Sequence, residues 1–206
     1  MAGAPVTLRQ RRVWRDLARI VSTIFNPFLT AFALFVILAH AFGSGTLGFY
    51  ELLFASTFFT SLGPMLFILW LYASDRISDL DMSVREEREA VFSAFVVSYL
   101  AGTATLWLLR APPMMIAAMA GYAASAIVIQ LITRYWKIST HALGITAPLV
   151  ALLYLYGTQP LPFLVLIPIV CWARVYLKAH TVLQVVAGCA LGAASVVVFF
   201  KLFRVV

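Results

Sequence analysis

Pro113-Met-Met-Ile-Ala-Ala-Met-Ala-Gly-Tyr-Ala-Ala-Ser-Ala-Ile-Val-Ile-Gln-Leu-Ile132 holds no charged residue, and Arg110 and Arg134 stand on either side of it. A helix of that length rises about 30 Å, the thickness of the hydrocarbon layer of a bilayer. Outward from it, comparable apolar stretches cover 52–73 and 90–109 upstream and 181–203 downstream, with 20–42 nearest the N-terminus. Two shorter ones cover 141–156 and 161–177. The pattern predicts an all-α fold: a polytopic transmembrane helical bundle of six or seven spans, one integral membrane domain over residues 1–206.

Composition agrees. Hydrophobic residues make up 63% of the chain and charged ones 11%, which excludes an ordinary soluble domain. The formal charge of +7 does not point to nucleic acid, because the basic residues fall in the loops between apolar stretches. Residues 1–18 form a basic N-terminal segment carrying Arg9, Arg11, Arg12 and Arg15, and Ala39-His40-Ala41 resembles a signal cleavage site. The first apolar stretch exceeds the roughly 7–15 residues of a signal core, so a retained span is expected. Cys171 and Cys189 lie within apolar stretches and read as small buried hydrophobes.

With helices alternating, one side of the membrane collects Arg9, Arg11, Arg12, Arg15, Arg19, Arg76, Arg85, Arg88, Arg134, Lys137, Arg174 and Lys178. The other holds Arg110, Lys201 and Arg204. The bias predicts a cytoplasmic N-terminus in a multi-pass protein of the cell membrane, of bacterial inner-membrane type. Trp70, Tyr72, Tyr135, Trp136, Trp172 and Tyr176 cluster near the same ends, as an interfacial aromatic belt does. Three loops meet there, 74–89, 133–140 and 178–179, and they hold nearly all the reactive side chains, so any chemistry faces the cytosol.

Arg174-Val-Tyr-Leu-Lys-Ala-His180 sets a fixed cation near a titratable imidazole at a membrane edge, a pairing suited to a phosphate carried on a lipid. If the last helix includes His180, then Gln184, Gly188 and Gly192 continue its face. The glycines would admit a neighbouring helix closely. The Gln184 carboxamide could orient the ring and leave one nitrogen free as nucleophile or base; the plainer role for His180 is a ring satisfied at headgroup level. In Lys137-Ile-Ser-Thr-His141, a hydroxyl precedes a second imidazole where a helix N-terminus favours anions. Ser139 or Thr140 could equally be only a helix cap. Arg85 and Arg88, three apart, could grip one phosphate from two directions, although Glu86, Glu87 and Glu89 also fit a solvated, salt-bridged loop.

Together these residues resemble the motifs of the type 2 phosphatidic acid phosphatase superfamily, the lipid phosphatases related to vanadium haloperoxidases. The family's third motif, Arg, five residues, His, three residues, Asp, is matched by Arg174 and His180, with Gln184 where the Asp is expected. Its second, Pro-Ser-Gly-His, corresponds to Ile138-Ser139-Thr140-His141. Its first, Lys, six residues, Arg-Pro, falls on Asp81, Arg88 and Glu89, with Arg85 an alternative cation. The resemblance runs from Asp81 to Gly192, within a motif-bearing core of about 74–192. It implies that His180 attacks phosphorus to form a phosphohistidine and that His141 protonates the leaving alcohol. Arg85 or Arg88, Arg174 and the Ser139 region would hold the phosphate oxygens, with Lys137 and Arg134 adding to a positive funnel. No metal or other cofactor is implied. The expected partners are a lipid phosphate, phosphatidyl or polyprenyl, and the bilayer. An amide at Gln184 only orients the ring, whereas a carboxylate would stabilise its charged form. Asp79 or Asp81 could stand in for it.

Two other readings are open. Asp75, Asp79 and Asp81 form an acidic cluster of the kind that holds magnesium and a prenyl diphosphate in intramembrane prenyltransferases, though those enzymes have two such clusters. A non-catalytic lipid-binding or scaffold descendant of the phosphatases would explain Gln184.

Overall fold

A computed structural model describes residues 8–45, 47–78, 85–133 and 135–205; the side chains of 8–11, 85 and 86 are not included. Nine α-helices follow one another among these residues. They are α1 (Leu8–Ile24), α2 (Pro27–Phe42), α3 (Phe49–Thr57), α4 (Gly63–Ala73), α5 (Arg85–Leu108), α6 (Pro113–Thr133), α7 (Thr140–Tyr156), α8 (Leu166–Tyr176) and α9 (Val182–Leu202). A π-helical turn, Phe58–Leu62, joins α3 to α4, and a 3-10 turn, Leu161–Val165, leads into α8. No strand occurs among the described residues beyond an isolated Ser44–Gly48 bridge.

Among the described residues four helices are long and apolar enough to cross a membrane: Phe49–Ala73, Glu87–Leu108, Pro113–Thr133 and Val182–Leu202. A fifth crossing is available if Arg12–Ile24 and Pro27–Phe42, bent by 45°, act as one broken span. The remaining apolar helices, Thr140–Tyr156 and Leu161–Tyr176, are shorter. Four or five spans are therefore long enough by themselves, against the six or seven expected.

One boundary differs from the expected ones, and the start of the last helix settles where His180 stands. The first apolar stretch is not one helix, because Pro27 disfavours helical backbone at the residue before it. Asn26 is accordingly extended (ψ 155°), and its side chain accepts hydrogen bonds from the Phe28 and Leu29 amides, which starts a new helix. The last helix does not include His180. Thr181 is its N-cap, in a capping box with Gln184.

The π turn also has a local cause. Pro64 has no N–H, and the Gly63 amide reaches back to the Phe58 carbonyl. The Phe59 carbonyl takes the Ser98 hydroxyl of α5 at 2.8 Å, and Ser61 donates to the Phe28 carbonyl of α2 at 2.9 Å. Such repairs are needed where water is scarce. At the centre, α6 is enclosed by α5 and α9, and Phe35, Leu38, Met115, Met119 and Phe200 are fully buried around it. A bond from the Gln130 carboxamide to the Ser93 hydroxyl, 2.6 Å, sets the register of α5 against α6.

The seam between α7 and α9 is the closest helix approach near the expected motifs. A Cβ on Gly188 would collide with the Ser139 carbonyl, and one on Gly192 would lie 2.9 Å from the Leu143 carbonyl. Both glycines stand where the sequence predicts a close neighbour, and α7 is that neighbour.

Candidate functional site

A cavity of about 520 Å³ opens at the end of the bundle where α5 begins and α6 ends. Its mouth is lined by Arg19, Arg88, Lys137, His141, Arg174 and His180, and its deeper walls by Phe28, Ile68, Phe92, Phe95 and Tyr99. No Asp or Glu is among its described lining residues. A basic rim over an aromatic and aliphatic shaft suits an anionic headgroup carrying an apolar tail.

The turn between α8 and α9 shows why Arg174 and His180 sit together. Lys178 adopts a left-handed conformation (φ 57°). The Ala179 amide reaches the Arg174 carbonyl at 3.1 Å and the Lys178 amide reaches that of Val175 at 2.9 Å. This is a Schellman ending. The His180 amide adds a second bond to the Arg174 carbonyl at 3.3 Å, and Thr181 caps the next helix. The spacing of the third motif is thus the length of one helix ending followed at once by another helix start. Both side chains are buried, with exposures of 7% for Arg174 and 8% for His180.

Arg174 donates from Nη1 to the Ser22 hydroxyl at 2.6 Å. The His141 ring hydrogen-bonds to the backbone of the same residue and lies within the field of the Arg174 charge. Ser22 therefore joins α1 to the two remote motifs. Burial, then the positive charges of Arg174 and Lys137, and more weakly that of Arg88, press the His180 imidazole below its ordinary value, to about 4; hydrogen bonding with Gln184 opposes the shift. At neutral pH the ring is uncharged. The Nδ1 atoms of both His141 and His180 are buried without a hydrogen-bond partner, as are Nε of Arg88 and the hydroxyls of Tyr122 and Ser125. All five residues line the cavity. Orphaned buried polar atoms around one void mark a place for a polar ligand or water.

The residues expected from sequence are distributed unevenly. His141, His180, Arg174, Arg88 and Lys137 meet at the cavity. Ser139 does not line it. Its hydroxyl accepts from the Ala142 amide at 3.3 Å, which is the cap, and its own amide donates to the Gln184 carbonyl at 3.2 Å. The Gln184 side-chain oxygen accepts from the Thr181 amide at 3.0 Å, so it caps α9 as well as acting on His180. Arg85 opens α5, but its side chain lies outside the described residues, as do Arg134, Asp79 and Asp81. Asp75 lines a separate shallow groove with Tyr72, Ser78 and Glu87. Among the described residues no three His, Cys, Asp or Glu gather as metal ligands.

Sequence reasoning missed the contribution of α1. Arg19, Ser22 and Thr23 of that helix line the cavity, as does Asn26 in the break before α2. The spacing of three and four from Arg19 is one face of a helix, a polar stripe on an otherwise apolar segment. That stripe was the available signal. No protein-family model, curated protein or solved structure matches the chain, so the reading of this site rests on its own residues.

Proposed function

We propose that the chain is a membrane lipid phosphatase of the type 2 phosphatidic acid phosphatase kind. It hydrolyses a phosphomonoester or diphosphate of a lipid at the cytosolic face of the cell membrane. The observation that carries this is the meeting of His141, His180, Arg88, Arg174 and Lys137, drawn from α5, the α6–α7 loop, α7, the end of α8 and the α8–α9 turn, at one apolar-walled cavity. Phosphoryl transfer asks mainly for positioning and charge neutralisation, and that set of groups offers both.

In this reading the neutral His180 ring attacks phosphorus as the bond to the lipid alcohol breaks, giving a phosphohistidine. His141 supplies the proton to the leaving oxygen, the phosphate's own negative charge favouring its protonated form. Arg88, Lys137 and Arg174 hold the remaining oxygens. Water then displaces the phosphate and restores both rings. The excess of basic residues at the cavity end supports a cytosolic site.

The test is inorganic phosphate release from a panel of lipid phosphates, with purified protein in detergent, with and without chelator. Release that survives chelator and falls more than about 10³-fold in His180→Ala is expected. Full turnover in that variant would remove the nucleophile. One observation favours a second reading, a lipid-phosphate binder without turnover: Gln184 leaves no carboxylate behind His180, and its oxygen caps a helix. Binding of the same lipids without release would select that reading.

A further inference from the structure

Hydroxyls inside membrane helices normally return to their own backbone. Here Ser56 donates to the Leu52 carbonyl at 2.6 Å, Thr60 to Ser56 at 2.9 Å, Ser93 to Glu89 at 2.8 Å and Thr103 to Tyr99 at 2.8 Å. Ser125, in the middle of α6, does not. Its hydroxyl is buried and has no partner, although the residue is only 2% exposed. Tyr122, one helical turn away on the same face, is 8% exposed, and its hydroxyl also lacks a partner. Both residues line the cavity. The Tyr122 ring is flanked by Tyr99 and Phe35, with centroids 6.0 and 6.3 Å away. Two donors are thus held at fixed positions in an apolar shaft, and each unmet hydroxyl there carries a desolvation cost.

The depth of the pair narrows what could meet it. Ser125 lies eight residues and Tyr122 eleven before Thr133 at the cavity end of α6, which places them about 12 and about 16 Å below that end. The Gln130–Ser93 bond sets α5 beside α6. By that register the Arg88 backbone is about 15 Å above that of Ser125. An arginine side chain, a phosphate and a glycerol fill that interval between them. What a diacyl lipid then presents at the hydroxyls is its ester carbonyls, which accept hydrogen bonds. A polyprenyl chain presents only hydrocarbon at that depth.

We propose that Tyr122 and Ser125 form a second polar subsite that receives the ester carbonyls of a glycerolipid phosphate, so the cavity selects ester-linked lipids over ether-linked and polyprenyl ones. This builds on the phosphatase reading for its headgroup end. The probes are dioleoyl phosphatidic acid, its dialkyl ether analogue and a polyprenyl phosphate. Binding is measured on His180→Ala protein, in which no lipid is consumed, and phosphate release on the intact chain. The ester lipid is expected to be favoured over the ether lipid by about 5- to 30-fold, one ordinary hydrogen bond per hydroxyl. In Tyr122→Phe and Ser125→Ala, near-isosteric changes whose folding is checked by thermal unfolding, that ratio collapses toward one. Equal binding of ester and ether lipids by the parent protein, or a ratio that survives in both variants, overturns the subsite and leaves water as the partner of these hydroxyls. A preference seen in binding with no release from any lipid keeps the subsite and breaks the phosphatase reading instead.

Discussion

The two sides of the cavity mouth are built differently. Along the α7–α9 seam, backbone meets backbone: glycines at 188 and 192 bring α9 onto Ser139 and Leu143, and the Ser139 amide bonds directly to the Gln184 carbonyl. His141 and His180 sit at the head of that seam. On the opposite side α1 reaches Arg174 through the Ser22 hydroxyl and His141 through the Ser22 backbone. Its outer face carries exposed Val13, Leu17, Ile20 and Ile24, a stripe at helical spacing suited to lipid, and Trp14 packs edge-on to Trp172 of α8. The histidines are thus fixed by main-chain geometry. Arg174 is steadied by a helix whose exposed apolar stripe suits a lipid surface.

The largest expected effect comes from breaking the seam. In Gly188→Ala the new methyl collides with the Ser139 carbonyl and lies 3.1 Å from the Ala142 Cβ and 3.3 Å from the Leu143 amide nitrogen. Two of those neighbours are backbone, so α9 must move. A loss of about 1–3 kcal/mol is expected, read as a lower unfolding midpoint in detergent. Phosphate release should fall with it, since the shift displaces the turns carrying both histidines. Gly121→Ala is the control. Its Cβ would meet the Ser195 carbonyl at 3.5 Å, an ordinary contact, and the midpoint should hardly change.

Two serines then separate the walls. Ser139→Ala removes a helix cap that does not line the cavity, so it should lower stability by about 1 kcal/mol while the folded fraction keeps its turnover. Ser22→Ala removes the oxygen that receives Arg174. A hydrogen bond to a charged group is worth roughly 1.5–3 kcal/mol, and kcat/KM on a lipid phosphate should drop by about tenfold or more. If Ser139→Ala instead damaged kcat/KM as much as Ser22→Ala, the division between capping and positioning would fail.

How legible each part was depends on whether its geometry is local in sequence. Arg174 and His180 were readable because a single helix ending sets their spacing. The glycines on α9 were readable because a missing side chain within a span has few other uses. The choice between Arg85 and Arg88 was not readable from a run of mixed charges; Arg88 lines the cavity, and the Arg85 side chain lies outside the described residues. Ser22 escaped notice because a serine in an apolar helix costs little and usually bonds to its own backbone, while Arg19 was counted only as a topology charge. The Asn26–Pro27 break was visible as a dipeptide but hidden by continuous hydropathy on both sides. Span number has a related difficulty: four or five helices are long enough by themselves against the six or seven expected, since hydropathy does not show where prolines and turns shorten a helix, as before α8.

The smallest predicted effect sharpens the seam rather than breaking it. Lys178 occupies the left-handed position of the Schellman turn with φ 57°, is exposed, and does not line the cavity. A side chain there costs about 1–2 kcal/mol that glycine does not pay, and glycine's greater freedom in the unfolded chain returns about 0.5–1 kcal/mol of that. Lys178→Gly should therefore gain several tenths of a kcal/mol, a rise of a few degrees or less in the unfolding midpoint. Lys178→Asn should fall between glycine and the parent, and Lys178→Val should be destabilised, because a branched Cβ fits this conformation worst. That ranking depends on backbone conformation alone. The same order in turnover would mean that the turn, by holding the Arg174 carbonyl against the His180 amide, sets the reactive geometry as well as the fold; a flat turnover across the series would assign that role to the cap at Thr181 and the seam behind it.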